Sequence, residues 1–91
     1  MNIYQKKAHA IGVMVKESSR KGKKLDVYKN GKYQVSIGAV GYKDYESYKK
    51  EDPEKAEARR RAYKKRHEKN RLVKMRDGKL TAGYLADKIL W

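Results

Sequence analysis

Ninety-one residues allow one small domain with a modest core. Charged residues make up 40% and hydrophobic ones 38%, the formal net charge is +14, and cysteine is absent. These figures exclude disulfides and thiolate metal sites, and no apolar run approaches the ~20 residues of a membrane span or the apolar block of a signal peptide. Eight tyrosines and one tryptophan, with no phenylalanine, predict a partly aromatic core whose hydroxyls sit at its edge or on a partner.

The charge is not spread evenly. Residues 1–24 carry seven cations against one acid, and residues 53–76 carry eleven against three. The segments 25–52 and 77–91 are each neutral overall. Two basic blocks separated by neutral, core-forming stretches point to polyanions as partners: nucleic acid, an acidic protein surface or anionic lipid.

Residues 1–22 read as a basic arm or loosely attached segment of a single domain spanning 1–91. Within it, Ile11, Val13 and Val15 alternate like a short strand, although Ile3, Lys7, Ala8, Ile11, Met14 and Val15 also fit a helical face. Leu25–Gly38 is the strongest strand signal, two alternating runs around Asn30-Gly31. A three-residue loop, Lys29-Asn30-Gly31, would set Val27 against Tyr33 and Leu25 against Val35, giving an apolar face of Leu25, Val27, Tyr33, Val35 and Ile37. Next come Tyr42, Tyr45 and Tyr48 at intervals of three, which fit a helical turn or two capped by Asp44, or a compact loop.

Asp52-Pro53 opens the dominant element. Asp52 can cap a first turn, Pro53 suits the first helical position, and Glu54 and Glu57 precede a run of cations, in the order the helix dipole favours. Glu57 and Arg61 are spaced for an i,i+4 pair. The helix is expected from Asp52 to Lys69 and could run on to Met75, ending at Asp77-Gly78. It lacks a broad apolar stripe: Ala56, Tyr63 and His67 form one line, Ala58 and Ala62 a shorter one. Thr81 then caps a short terminal helix whose Tyr84, Leu85, Ile89 and Leu90, joined by Trp91, either seal the core or dock on a neighbour.

These elements predict a small α+β domain: a β-hairpin with a possible third strand, one long basic helix and a short C-terminal helix. No nucleophile–base pair, metal-ligand spacing or phosphate-cradling glycine motif occurs, so the sequence predicts a non-enzymatic protein that needs no cofactor or metal. The candidate polyanion- or partner-binding residues are Arg59, Arg60, Arg61, Lys64, Lys65, Arg66, Lys69 and Arg71. The candidate partner or core aromatics are Tyr42, Tyr45, Tyr48, Tyr63 and Trp91.

The series Ile37-Gly38, Gly41-Tyr42-Lys43-Asp44-Tyr45, Arg60, Tyr63, Arg66-His67, Thr81-Ala82-Gly83 and Ile89-Leu90-Trp91 resembles a family of small basic proteins found in giant DNA viruses and large tailed phages. The resemblance covers residues 20–91 and rests on the combination of pieces. It implies a viral context, a place in the particle, and passage through the host cytoplasm or nucleus during assembly; it transfers no site residues. The expectation is therefore a virion structural protein, a minor capsid or capsid-lining component that bridges larger capsid or other virion proteins within a large assembly. The alternative is a sequence-independent binder of DNA or RNA phosphate backbones, packaged with the genome.

Overall fold

In the computed structural model, which describes residues 2–91, the two longest strands meet at Asn30-Gly31. Both turn residues take left-handed φ, 51° and 78°, the combination whose twist suits a two-residue hairpin. Strands β2 (Lys23–Lys29) and β3 (Lys32–Ala39) flank the turn, and β1 (Met14–Glu17) pairs antiparallel with the far side of β2. The third strand exists, but it starts three residues later than the alternation of Ile11–Val15 implies.

The hairpin corrects the expected register. The loop has two residues rather than three, and the extra residue lies in β3 as a bulge. Tyr28 pairs with Tyr33, then Val27 with Val35 and Leu25 with Ile37, so Gln34 has no partner across the ladder. The bulge restores the apolar match that a two-residue turn alone would spoil, and it frees the Gln34 side chain to accept the Leu80 N–H at 3.2 Å. Tyr33 consequently leaves the predicted apolar face and meets Tyr28 edge-on at 5.8 Å. On that same polar face Asp26, only 3% exposed, accepts hydrogen bonds of 2.6 Å from Ser18 and Ser36. Those two hydroxyls, Ser18 first, hold its carboxyl below the usual carboxylate range.

The N-terminal segment is not a loose arm. Asn2 and Gln5 form a reciprocal capping box that starts α1 (Ile3–Ala10). Ala8 is fully buried, Tyr4 donates to both carboxylate oxygens of Asp44 at 2.9 Å, and Lys7 pairs with Glu46 at 3.1 Å. Burial, followed by the Asp44 hydrogen bond, pushes the Tyr4 hydroxyl well above its ordinary pKa.

Helix α2 (Tyr45–Glu51) is the short tyrosine helix, and its cap is Asp44, which accepts the Ser47 N–H at 3.1 Å. The basic helix α3 (Pro53–Arg66) stops short of Lys69 and of the possible extension to Met75; His67 breaks it before the single turn α4 (Glu68–Arg71). Met75, the predicted limit of the helical extension, instead enters a second hairpin, β4 (Met75–Arg76) and β5 (Lys79–Leu80), reversed at Asp77-Gly78 with φ of 52° and 78°. Thr81 caps α5 (Ala82–Ile89), its side chain accepting the Tyr84 N–H at 3.2 Å. The architecture is α+β: among the described residues, a three-stranded antiparallel sheet, a small hairpin and five helices.

The core lies between α1, one face of the sheet and α5. Ala8, Val13, Val15, Val27, Ile37, Leu80, Leu85, Ile89 and Leu90 form one buried cluster. Leu85 and Ile89 have no exposed surface, so α5 seals the chain's own core. The Tyr45 N–H donates to the Leu90 carbonyl at 3.1 Å, tying α2 to the end of α5.

Candidate nucleic-acid interface

Only Ala56 of α3 is buried. The helix begins where predicted, with Asp52 accepting the Glu54 N–H at 3.1 Å and Pro53 in the first turn. Hydrophobic burial is too small to hold it against the rest of the domain, and specific polar and aromatic contacts do so instead.

Arg60 is the central clamp. Its guanidinium carbon lies 3.6 Å from the centre of the Tyr45 ring, and its Nε donates to the Trp91 carbonyl at 2.9 Å. Glu57 was expected to face Arg61; it lies 3.6 Å from Arg60 and accepts the Tyr45 hydroxyl at 2.7 Å. That hydrogen bond is the main reason the Glu57 carboxyl is held below its ordinary range and the Tyr45 hydroxyl above it. One turn on, Lys64 pairs at 2.7 Å with Asp87, a carboxylate only 3% exposed. Arg71 closes the end of the helix by donating to the Lys64 carbonyl at 2.9 Å.

Beside these contacts runs an aromatic stack. Tyr63 lies parallel to Trp91, with centroids 4.6 Å apart at 10°, and His67 covers the Tyr63 ring at 4.4 Å. Burial, then the Asp87 charge, raises the Tyr63 pKa. Tyr48 approaches Trp91 at 6.2 Å, tilted by 39°. Between α2, α3 and the chain end, Tyr48, Tyr63 and Trp91 line an open groove of about 320 Å³.

The eight predicted cations thus divide. Arg60, Lys64 and Arg71 serve the fold. Arg59, Arg61, Lys65, Arg66 and Lys69 are exposed, and among the described residues none has a carboxylate oxygen within 4.0 Å. On a helix with 3.6 residues per turn, Arg59 and Arg66 fall along the flank that borders the groove, and Arg61 and Lys65 along the opposite flank. Exposed Ala58 and Ala62 lie between the flanks and keep the ridge low.

The predicted aromatics divide similarly. Tyr45 is buried under Arg60; Tyr48, Tyr63 and Trp91 are half-buried in the stack; Tyr42 stands 75% exposed at the mouth of the groove. Sequence reasoning missed Lys24, which also lines the groove together with Lys43 beside the tyrosines. Lys24 donates to the Tyr42 carbonyl and pairs with Asp44 at 3.3 Å, and Lys43 pairs with Glu51. Nothing local marks Lys24, because its partner Asp44 lies across the fold.

Comparison with family models, curated proteins and solved structures returns no match for this chain. No helix is long and apolar enough to cross a membrane among the described residues.

Proposed function

We propose that the protein is a non-enzymatic, sequence-independent nucleic-acid binder that lays the solvent face of α3 along a phosphate backbone. One observation carries this reading: five exposed cations stand on and just beyond one helix without a neutralising carboxylate, on a face that offers almost nothing apolar. Such a face gains by displacing counterions from phosphates, and the gain is the same for every sequence. The buried acids support a binding rather than a catalytic role. Asp26, Asp44 and Asp87 are each consumed by serines, a helix cap with Tyr4 and Lys24, and Lys64. The viral resemblance supports a protein packaged with its genome, present in the virion and, before that, in the host cytoplasm or nucleus.

Fluorescence anisotropy against salt tests the proposal. Each neutralised phosphate contributes about 0.9 to the log–log slope on duplex DNA, so five contacts give a slope of about −4 to −5. Replacing Arg61, Lys65 and Lys69 together with Gln should flatten that slope by about 3. Weak binding insensitive to salt would remove the reading.

A second reading, a minor capsid or capsid-lining protein bridging larger virion proteins, draws on Leu72 and Met75, 67% and 45% exposed beside the basic helix. Two of the surfaces expected to serve such a bridge, the N-terminal segment and α5, are engaged in the chain's own core, which favours the first reading. Shells assembled without genome separate the two: a bridge stays with them at fixed stoichiometry, and a genome-bound protein does not.

A further inference from the structure

We propose that the groove between α2, α3 and Trp91 receives one unpaired nucleobase, so that the protein prefers single-stranded to duplex nucleic acid. This rests on the phosphate-binding reading of α3 and adds to it a choice of strand state.

The groove has two walls of different character. One is aromatic: Trp91 stacked on Tyr63, Tyr48 leaning toward Trp91 at 6.2 Å, and Tyr42 standing at the mouth. The other is cationic, formed by Arg59 and Arg66 of α3. Arg59 sits 5.4 Å from the centre of the Tyr48 ring, so the two walls meet there. The remaining lining charges are satisfied within the chain, Lys24 by Asp44 and Lys43 by Glu51. The groove therefore presents a net positive rim around flat, polarisable rings. A base carries no charge and has two π-faces, and it is joined on either side to a phosphate. Arg59 and Arg66 lie seven residues apart, about 10 Å along the helix, so each can hold one of the phosphates flanking a base seated between them. An acidic peptide would satisfy the arginines and leave the rings without a planar partner. In a duplex the same base is already stacked and paired, and its face cannot reach the rings; in a single strand it can.

The test compares oligomers that share a backbone: a twelve-residue oligothymidylate, an abasic oligomer of equal length, and a duplex, by anisotropy at one salt concentration. Trp91 emission gives a second readout. Stacking should make oligothymidylate about tenfold tighter than the abasic strand and should quench Trp91 with the former alone. In Tyr42→Ala, where the ring is mostly exposed and the fold is not at risk, and in Tyr48→Leu, which keeps apolar volume, the ratio should fall toward one. Equal affinity of the wild-type protein for the two single strands, with a steep salt slope, overturns the base site and leaves the phosphate reading standing. A ratio that survives in both variants shows that bases bind elsewhere and overturns the groove. Failure to bind any of the three oligomers removes both proposals.

Discussion

Helices α3 and α5 lie against the same small domain and are held there by different forces. In α5, Leu85 and Ile89 are wholly buried and Leu90 nearly so, so its attachment is hydrophobic and non-directional. In α3 only Ala56 is buried, and its attachment is directional: Arg60 on Tyr45 and the Trp91 carbonyl, Lys64 on Asp87, Tyr63 on Trp91. A helix held by a few long side chains on its inner edge can leave its outer face free of large apolar residues. That is what allows α3 to present a dense array of cations to solvent.

The largest break in this comparison should come from α5. Leu85→Ala is expected to cost about 2–5 kcal/mol, because the site is enclosed on all sides and cannot collapse. Chemical denaturation read by circular dichroism would measure it, and a loss below about 1 kcal/mol would mean that the core is looser than its burial implies. Next comes Gly83→Ala. A Cβ there would lie 2.7 Å from the Asn70 carbonyl oxygen, a backbone atom that cannot turn aside, and the expected cost is about 1–3 kcal/mol despite the better helix propensity of alanine. Arg60→Lys keeps the charge of the α3 clamp and loses the flat cation on Tyr45, so it should cost about 1 kcal/mol, measured the same way.

Acid sharpens the contrast without a mutation. Folding holds the Glu57 carboxyl below its ordinary range, so its contribution is fully present above the unfolded-state pKa and is lost as pH falls through the folded value. Below the normal carboxylate range, protonation weakens the acceptor for the Tyr45 hydroxyl and the contact to Arg60, loosening α3 while the apolar seat of α5 is unaffected. Glu57→Gln should shallow the acid limb of the stability curve; an unchanged limb would assign it to other carboxylates. Smallest of all is the effect of the outer cations on folding. Gln at Arg61, Lys65 and Lys69 should change stability by no more than about 0.5 kcal/mol each while flattening the salt dependence of binding.

What the sequence revealed follows the same division. The caps at Asp44, Asp52 and Thr81 were legible because capping is local chemistry, a side chain meeting an N–H two or three residues on. The hairpin was legible but its register was not, since the choice between an extra loop residue and a bulge at Gln34 depends on Leu80, far along the chain. Helix α1 was obscured by its lysines, although the Asn2–Gln5 capping box stood in the sequence; its apolar contribution is essentially Tyr4, Ala8 and Ile11. The end of α3 carried no glycine or proline, and its extent is set by tertiary contacts around His67 and Arg71. In the candidate interface, composition identified the cations as a group. Which five remain free depended on the positions of Tyr45, Asp87 and the Lys64 carbonyl. Within the series from Ile37 to Trp91, Tyr45 packs on Arg60 and Tyr63 on Trp91, while Gly83 lies against Asn70. Those contacts serve the fold, and Tyr42, Tyr63, Arg66 and Trp91 of the same series also line the groove.

The imbalance of charge also acts inward. Of 25 lysines and arginines, five form ion pairs among the described residues, and the rest repel one another across a body only 36 × 28 × 26 Å. Such mutual repulsion works against the compact state. A polyanion that settles on the surface relieves it and, by mass action, raises the melting temperature as its concentration rises. On the proposed reading the molecule would be sturdier in company than alone, and its thermal resilience would gauge how much of it is bound.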